Sequence, residues 1–315
     1  MLQKTNKSDS TKVSKKSRNN RLRLVIQAFF AALCNGYVKG FAQGRIFDGK
    51  TKYVCVPGMN CYSCPAAVGA CPIGSLQATL AGRDYKLSMY VIGLLVLFGV
   101  FFGRFVCGFL CPFGLVQDLL NRFGNFCFRT GLPLKIPFVR KIRLVGGRRL
   151  GAMHGEKFLR CLRFVFLAVF VVLLPLFVID ITGLGEPWFC KWVCPVGTLE
   201  GGIPLVLLNS AMRGAAGFLF KWKLLILAFT LFFSVVVYRP FCRYICPLGA
   251  LYGIFNKISF YRLKVDESKC TRCGACESAC KLSVPVFKNP DSMDCIRCGE
   301  CESACPHGAI KLGFF

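Results

Sequence analysis

Four stretches of the chain are apolar at almost every position, and each has the length of a helix rather than a strand. They are Leu24–Val38, diluted by Gln27, Asn35 and Tyr37; Leu87–Val106; Phe164–Ile181, the most apolar; and Phe218–Tyr238. Runs approaching twenty apolar residues match the thickness of a bilayer core, so the pattern predicts about four transmembrane helices. Lys221 and Lys223 fall at the outer end of the last run, where their stems can lie along apolar surface with the ammonium in water. The first run has no small-x-small cleavage site near Ala31–Gly36 and is expected to be an uncleaved anchor. Ile203–Met212 is shorter, is followed by Arg213, and reads as an interfacial or re-entrant helix.

Charge orients these runs. Lys4–Arg23 holds eight Lys/Arg against Asp9, and Phe113–Arg163 holds eleven against Asp118 and Glu156. By the positive-inside rule both segments face the cytoplasm. Segments 44–86 and 183–217 then lie outside, and everything after Arg239 lies inside. The same rule accounts for most of the net charge of +26 without nucleic acid. The basic stretch 137–151 reads chiefly as a topology signal and lipid contact, with docking of an acidic donor as the alternative.

A repeat runs through the apolar part. The tetrad Cys-Pro-apolar-Gly occurs at Cys71, Cys111, Cys194 and Cys246, each near a span end, and "CPIGSLQ" matches "CPVGTLE" beyond the tetrad. The expected fold is an α-helical membrane protein of about four transmembrane helices in two repeats, with a small α+β bacterial-ferredoxin-like domain at the C-terminus. The expected boundaries are a basic cytoplasmic tail (1–23), a membrane domain (24–256, with repeats 24–125 and 160–256 joined by the basic loop) and the ferredoxin-like domain (257–315). Both termini face the cytoplasm.

Composition adds the chemistry. Twenty-one cysteines in a chain that is 54% hydrophobic do not suit a short secreted disulfide scaffold. Their spacing points to iron. "CTRCGACESAC" and "CIRCGECESACP" are two C-x2-C-x2-C-x3-C runs, in which three thiolates wrap one cluster and the fourth reaches across to its neighbour. Cluster one is assigned to Cys270, Cys273, Cys276 and Cys305, and cluster two to Cys295, Cys298, Cys301 and Cys280. Zinc usually takes two separated C-x-x-C knuckles and fits this spacing poorly. Lys281 stands where Pro usually closes the first run.

The pairs "CGFLCP" and "CRYICP" each supply half a site at the inner face, so Cys107, Cys111, Cys242 and Cys246 together make a third cluster. Outside, Cys55, Cys61, Cys64, Cys71, Cys190 and Cys194 leave two readings open. One is a fourth cluster on Cys64, Cys71, Cys190 and Cys194, with Cys61 as rival to Cys64 and Cys55 unassigned. The other is a disulfide or redox dithiol on an oxidising side. Cys34, Cys127 and Cys161 read as structural.

The segment "VCVPGMNCYSCPAAVGACPIGSLQ", the CxxxCP pairs and the terminal double motif together resemble the NapH/NosR/CcoG-type family of polytopic 4Fe-4S membrane proteins. The resemblance covers the chain from about Leu24 onward. It implies electron transfer between a cytoplasmic donor (ferredoxin, flavodoxin) or the quinol pool and an extracytoplasmic flavoprotein or reductase, with the CxxxCP cysteines as cluster ligands. The large flavin-binding domain of the NosR kind has no counterpart here. An alternative role is an assembly factor that reduces a metal ion or thiols while another enzyme matures.

One difficulty remains at this level. The twenty residues of Leu87–Val106 would hold the two faces ~30 Å apart at 1.5 Å per residue, too far for one tunnelling step. Either the motifs lie inside the bilayer or a carrier such as a quinone sits between, with Asp180 as the candidate acid and Glu186 behind it, although an ordinary interfacial carboxylate is the simpler reading of Asp180. Haem is not expected, since the only histidines, His154 and His307, lie outside the apolar runs. Trp188, Trp192 and Trp222 read as interfacial anchors, and Gly36, Gly40 and Gly44 as a frayed span end. No nucleophilic triad, phosphate loop or paired catalytic carboxylates are present.

Overall fold

A computed structural model describes residues 20–82, 85–129, 154–179, 185–214 and 216–315. The basic tail 1–19, the loop 137–151 and Asp180 lie outside the described residues. Among the described residues the regular elements are mostly helices, with one two-stranded antiparallel sheet near the C-terminus, β1 (Tyr261–Val265) paired with β2 (Ile310–Phe314).

Two described helices are long and apolar enough to cross a membrane, Phe158–Phe177 and Phe218–Val236, and only 17% of each is buried. A soluble core helix of that composition would be mostly buried. These instead present Phe177, Leu225, Phe229 and Phe232 at the surface. The second run lies mostly in a helix over Tyr85–Phe102, of which Met89–Phe102 is the apolar stretch.

The first run differs most from a simple span. Only its part up to Cys34 is helical, in a helix over 20–34 in which Arg23 and Gln27 are buried against protein; the rest of the run, 35–38, is a turn. Arg23 donates to Asp118 at 2.9 Å, and Arg239 grips the same carboxylate at 2.7 Å. A buried carboxylate shared by two guanidiniums ties helix 20–34 to Pro112–Arg129 and to the end of Phe218–Val236. Ile203–Leu208 is a short helix ending at Asn209.

Between these helices lie the tetrads. In each, Pro opens a helix directly after Cys: Pro72–Gly82, Pro112–Arg129, Pro195–Gly197 (continued through Thr198–Gly202) and Pro247–Phe255. Proline is well suited to the first turn, where its missing N–H would have no partner anyway. The hydrophobic core is continuous from these tetrads into the C-terminal domain, joining Ile73, Phe113, Val196 and Leu248 to Leu263, Val284 and Ile296.

Candidate iron–sulfur sites

The C-terminal domain holds two thiol groups. Cys270, Cys273, Cys276 and Cys305 surround one cavity, and Cys280, Cys295, Cys298 and Cys301 another. Backbone N–H groups donate to sulfurs of both groups, among them Arg297 to Cys295 at 3.4 Å, Val284 to Cys280 at 3.5 Å and Ala309 to Cys305 at 3.3 Å. Burial pushes the Cys295 thiol up to about 12 and Cys298 up to about 11. As free thiols both are therefore protonated near neutrality, and loading with iron must release those protons. Cys273 is exposed, and the N–H of Ala275 lowers its thiol.

The expected inner group gathers Cys107, Cys111, Cys242 and Cys246, all buried. Each of the other three thiols lies within electrostatic reach of Cys246. Gln117 Nε2 donates to Cys242 Sγ at 3.1 Å, and Gly249 N donates to Cys246 Sγ at 3.3 Å. The guanidinium of Arg239 caps the Cys107 carbonyl.

The outer thiols line a cavity of about 560 Å³, which receives Cys55, Cys61, Cys71, Cys190 and Cys194. Cys61, Cys71 and Cys194 are the thiols near Cys190. Here the structure departs from the expected set at one position. Cys64 faces away: its thiol reaches Asn35 Oδ1 at 3.6 Å and packs with Ala66 and Ala67 in a separate small cluster. Cys61 occupies the fourth place. The tetrad glycines show why: Gly74 faces the Cys190 sulfur and Gly197 faces the Cys61 sulfur, so Cys61 and Cys190 hold equivalent positions across the site. Cys55 lines the same cavity but gives its thiol to Ser75 Oγ at 3.3 Å.

Two side chains at the end of the repeated motif hold the outer site. Gln77 spans from its own helix to the second repeat: its Nε2 donates to Cys190 Sγ at 3.3 Å and its Oε1 accepts from Phe189 N at 2.9 Å. Glu200 accepts from Cys61 N at 2.7 Å. Gln77, Gln117 and Glu200 each lie six residues after a tetrad cysteine, in "CPIGSLQ", "CPFGLVQ" and "CPVGTLE". That shared spacing was the available signal. The acid considered beside a carrier, Glu186, instead pairs with Lys191 at 2.6 Å. Trp188 and Trp192 stack, and Trp222 donates to the Trp192 carbonyl at 3.1 Å.

Among the described residues no three His, Cys, Asp or Glu side chains converge on one metal ion. A cubane has its irons at separate corners and so needs thiolates farther apart than a single ion does. Groups of four soft thiolates, supported by N–H donors and facing a cavity, are a donor set that fits such a cluster.

The comparisons agree with this chemistry. A family model described as a 4Fe-4S binding domain matches residues 87–131, 167–203 and 222–265, and a second of the same description matches 263–282 and 289–311. An uncharacterized protein of Methanocaldococcus jannaschii is 30% identical over 70% of this chain and 74% of its own length. The methylamine utilization ferredoxin-type protein MauN of Paracoccus denitrificans is 28% identical, over 69% of this chain and 64% of its own. The ferredoxin-type protein NapH of Haemophilus influenzae is 28% identical, over 67% and 60%. This chain belongs to the ferredoxin-type 4Fe-4S protein family. It spans somewhat under two thirds of the MauN and NapH relatives. No solved structure matches it. The matched 4Fe-4S binding domains cover cysteines from Cys107 to Cys305.

Proposed function

We propose that this protein is a membrane-embedded electron wire, with four transmembrane helices in two repeats, cytoplasmic termini and a C-terminal ferredoxin-like domain from about residue 257. Cys270, Cys273, Cys276 and Cys305 would hold one [4Fe-4S] cluster, and Cys280, Cys295, Cys298 and Cys301 a second. Cys107, Cys111, Cys242 and Cys246 would hold a third, and Cys61, Cys71, Cys190 and Cys194 a fourth. Each cluster supplies a one-electron carrier whose potential follows hydrogen bonding to its sulfurs and solvent exposure.

The observation that carries this reading is the docking of the C-terminal domain on the inner site. Arg104 reaches the Cys242 carbonyl at 3.2 Å and the Met293 carbonyl at 2.8 Å. Asn256 holds the Ser292 and Cys295 carbonyls at 2.9 and 2.8 Å. Gly108, between Cys107 and Cys111, lies so close to the Ile296 carbonyl that a Cβ would come within 2.6 Å of it. One ligand loop is thus clamped onto the other. Asp294 strengthens the clamp, pairing with Arg160 at 2.6 Å and Arg163 at 2.7 Å. The exposed Cys273 marks a place where a soluble or quinol-linked donor would approach. The acceptor would be a separate flavoprotein or reductase outside.

A second reading, reduction of a metal or thiol during maturation of another enzyme, is favoured by Cys55, a thiol in the outer cavity that the group of four does not use. Iron and acid-labile sulfide per chain, after anaerobic purification, separate the two. The wire predicts about sixteen irons at four per cubane, falling to about twelve in Cys190→Ser/Cys194→Ser. An unchanged iron content in the double variant would mean that the outer thiols hold no cluster.

A further inference from the structure

The segment "CVPGMNC", Cys55–Cys61, begins and ends in the outer cavity, yet its middle reaches the inner site. Tyr252 OH, on the helix that follows Cys246, donates to the Pro57 carbonyl at 3.1 Å. Gly58 lies on the other inner tetrad, where an added Cβ would stand 2.8 Å from the Leu110 carbonyl and 3.0 Å from Cys111 Cα. Met59 Sδ is 3.4 Å from Cys246 Sγ, and Met59 also lines the outer cavity. Asn60, fully buried, pins the return of the turn by donating to the Cys34 and Gly69 carbonyls at 3.4 Å each.

This geometry removes the distance problem that the helix lengths pose. Met59 and Cys61 are two residues apart, so their Cα atoms are separated by at most ~7 Å. The outer and inner groups of four are therefore neighbours on either side of one turn.

We propose that the Val56–Asn60 turn couples the two membrane sites, with the Met59 thioether as the group interposed between them. The inference rests on the electron-wire reading. A thioether is soft and polarizable and packs well against a thiolate, and it fills space that would otherwise separate the sites. One electron moving between the two sites oxidises one by one electron and reduces the other by one. It makes or breaks no bond in Met59 and moves no proton there. Met59 acts here as a positioning residue, since each site already has four thiols.

The test uses the full chain, purified anaerobically and reduced stepwise under EPR, with iron counted on every sample. Two paramagnetic clusters so close must split or broaden each other's signals. Wild type should show that interaction once both membrane sites are reduced, and Cys190→Ser/Cys194→Ser should abolish it together with about four irons. Met59→Leu, similar in volume, should keep the iron and the splitting but slow reduction of the outer site several-fold in freeze-quench samples. Gly58→Val, which forces the turn off Cys111, should weaken the splitting while the ferredoxin-domain signals stay unchanged. Full iron with simply additive signals would overturn the coupling, and an unchanged rate in Met59→Leu would overturn the role of the thioether. Iron for only two cubanes would instead refute the wire itself, and the coupling with it.

Discussion

The ferredoxin-like domain and the membrane part solve the same ligation problem in opposite ways. In the domain, three of each four thiols come from one short loop. That loop folds alike in both copies, with Arg272 and Gly274 in the first and Arg297 and Gly299 in the second all at positive φ. Glycine takes this conformation at no steric cost, so "RCG" is a locally encoded turn. Its sulfurs receive backbone N–H bonds. In the membrane part no loop supplies more than two ligands, the two halves come from distant repeats, and amide side chains from Gln77 and Gln117 take on part of the donation. Local encoding yields a site that survives changes elsewhere. A site assembled from two repeats is only as stable as the packing between them.

That contrast can be broken in several places. The largest effect is expected at the inner ligands. Cys107→Ser/Cys246→Ser should remove about four irons per chain while the two ferredoxin-type signals persist, as counted by iron analysis and EPR. Asp118→Leu comes next, because it strands Arg23 and Arg239 as unpaired buried charges. Destabilisation of about 3–5 kcal/mol is expected, with loss of membrane-site iron before ferredoxin-domain iron during thermal unfolding. Gln117→Leu and Gln77→Leu should leave iron content intact and lower the potential of the inner or outer site respectively. Removing an N–H···S bond worth about 1 kcal/mol shifts a one-electron couple by roughly tens of mV, readable by redox titration. The smallest effect is expected at Lys281, part-exposed, whose 2.7 Å bond to the buried Glu300 bridges the two ferredoxin loops. Lys281→Ala should cost about 1–2 kcal/mol and leave every cluster signal in place.

How much of this was legible in the sequence differs by region for the same reason. The two ferredoxin groups could be assigned from spacing because spacing is what builds them. For the inner site, the matched CxxxCP pairs were enough to bring four cysteines together on paper. At the outer site spacing failed. Cys61 and Cys64 are both plausible by position, and the choice depends on which thiol faces Gly197 across the site, a contact made by the other repeat. The first apolar run was legible as a helix. Its buried Arg23, by contrast, is intelligible only once Asp118 and Arg239 are seen beside it.

The sequence alone determined which residues are apolar enough to face lipid, which cysteines belong to ferredoxin-type loops, and that the Cys-Pro tetrads repeat. These are properties of short stretches, set by hydropathy and by spacing along the backbone. Only the tertiary structure decided which thiols share a site across repeats, how the C-terminal domain seats on the inner cysteines, and that the turn through Met59 closes the gap between the two membrane sites. Those outcomes depend on side chains far apart in the chain being brought into van der Waals contact, and no local rule of spacing carries that information.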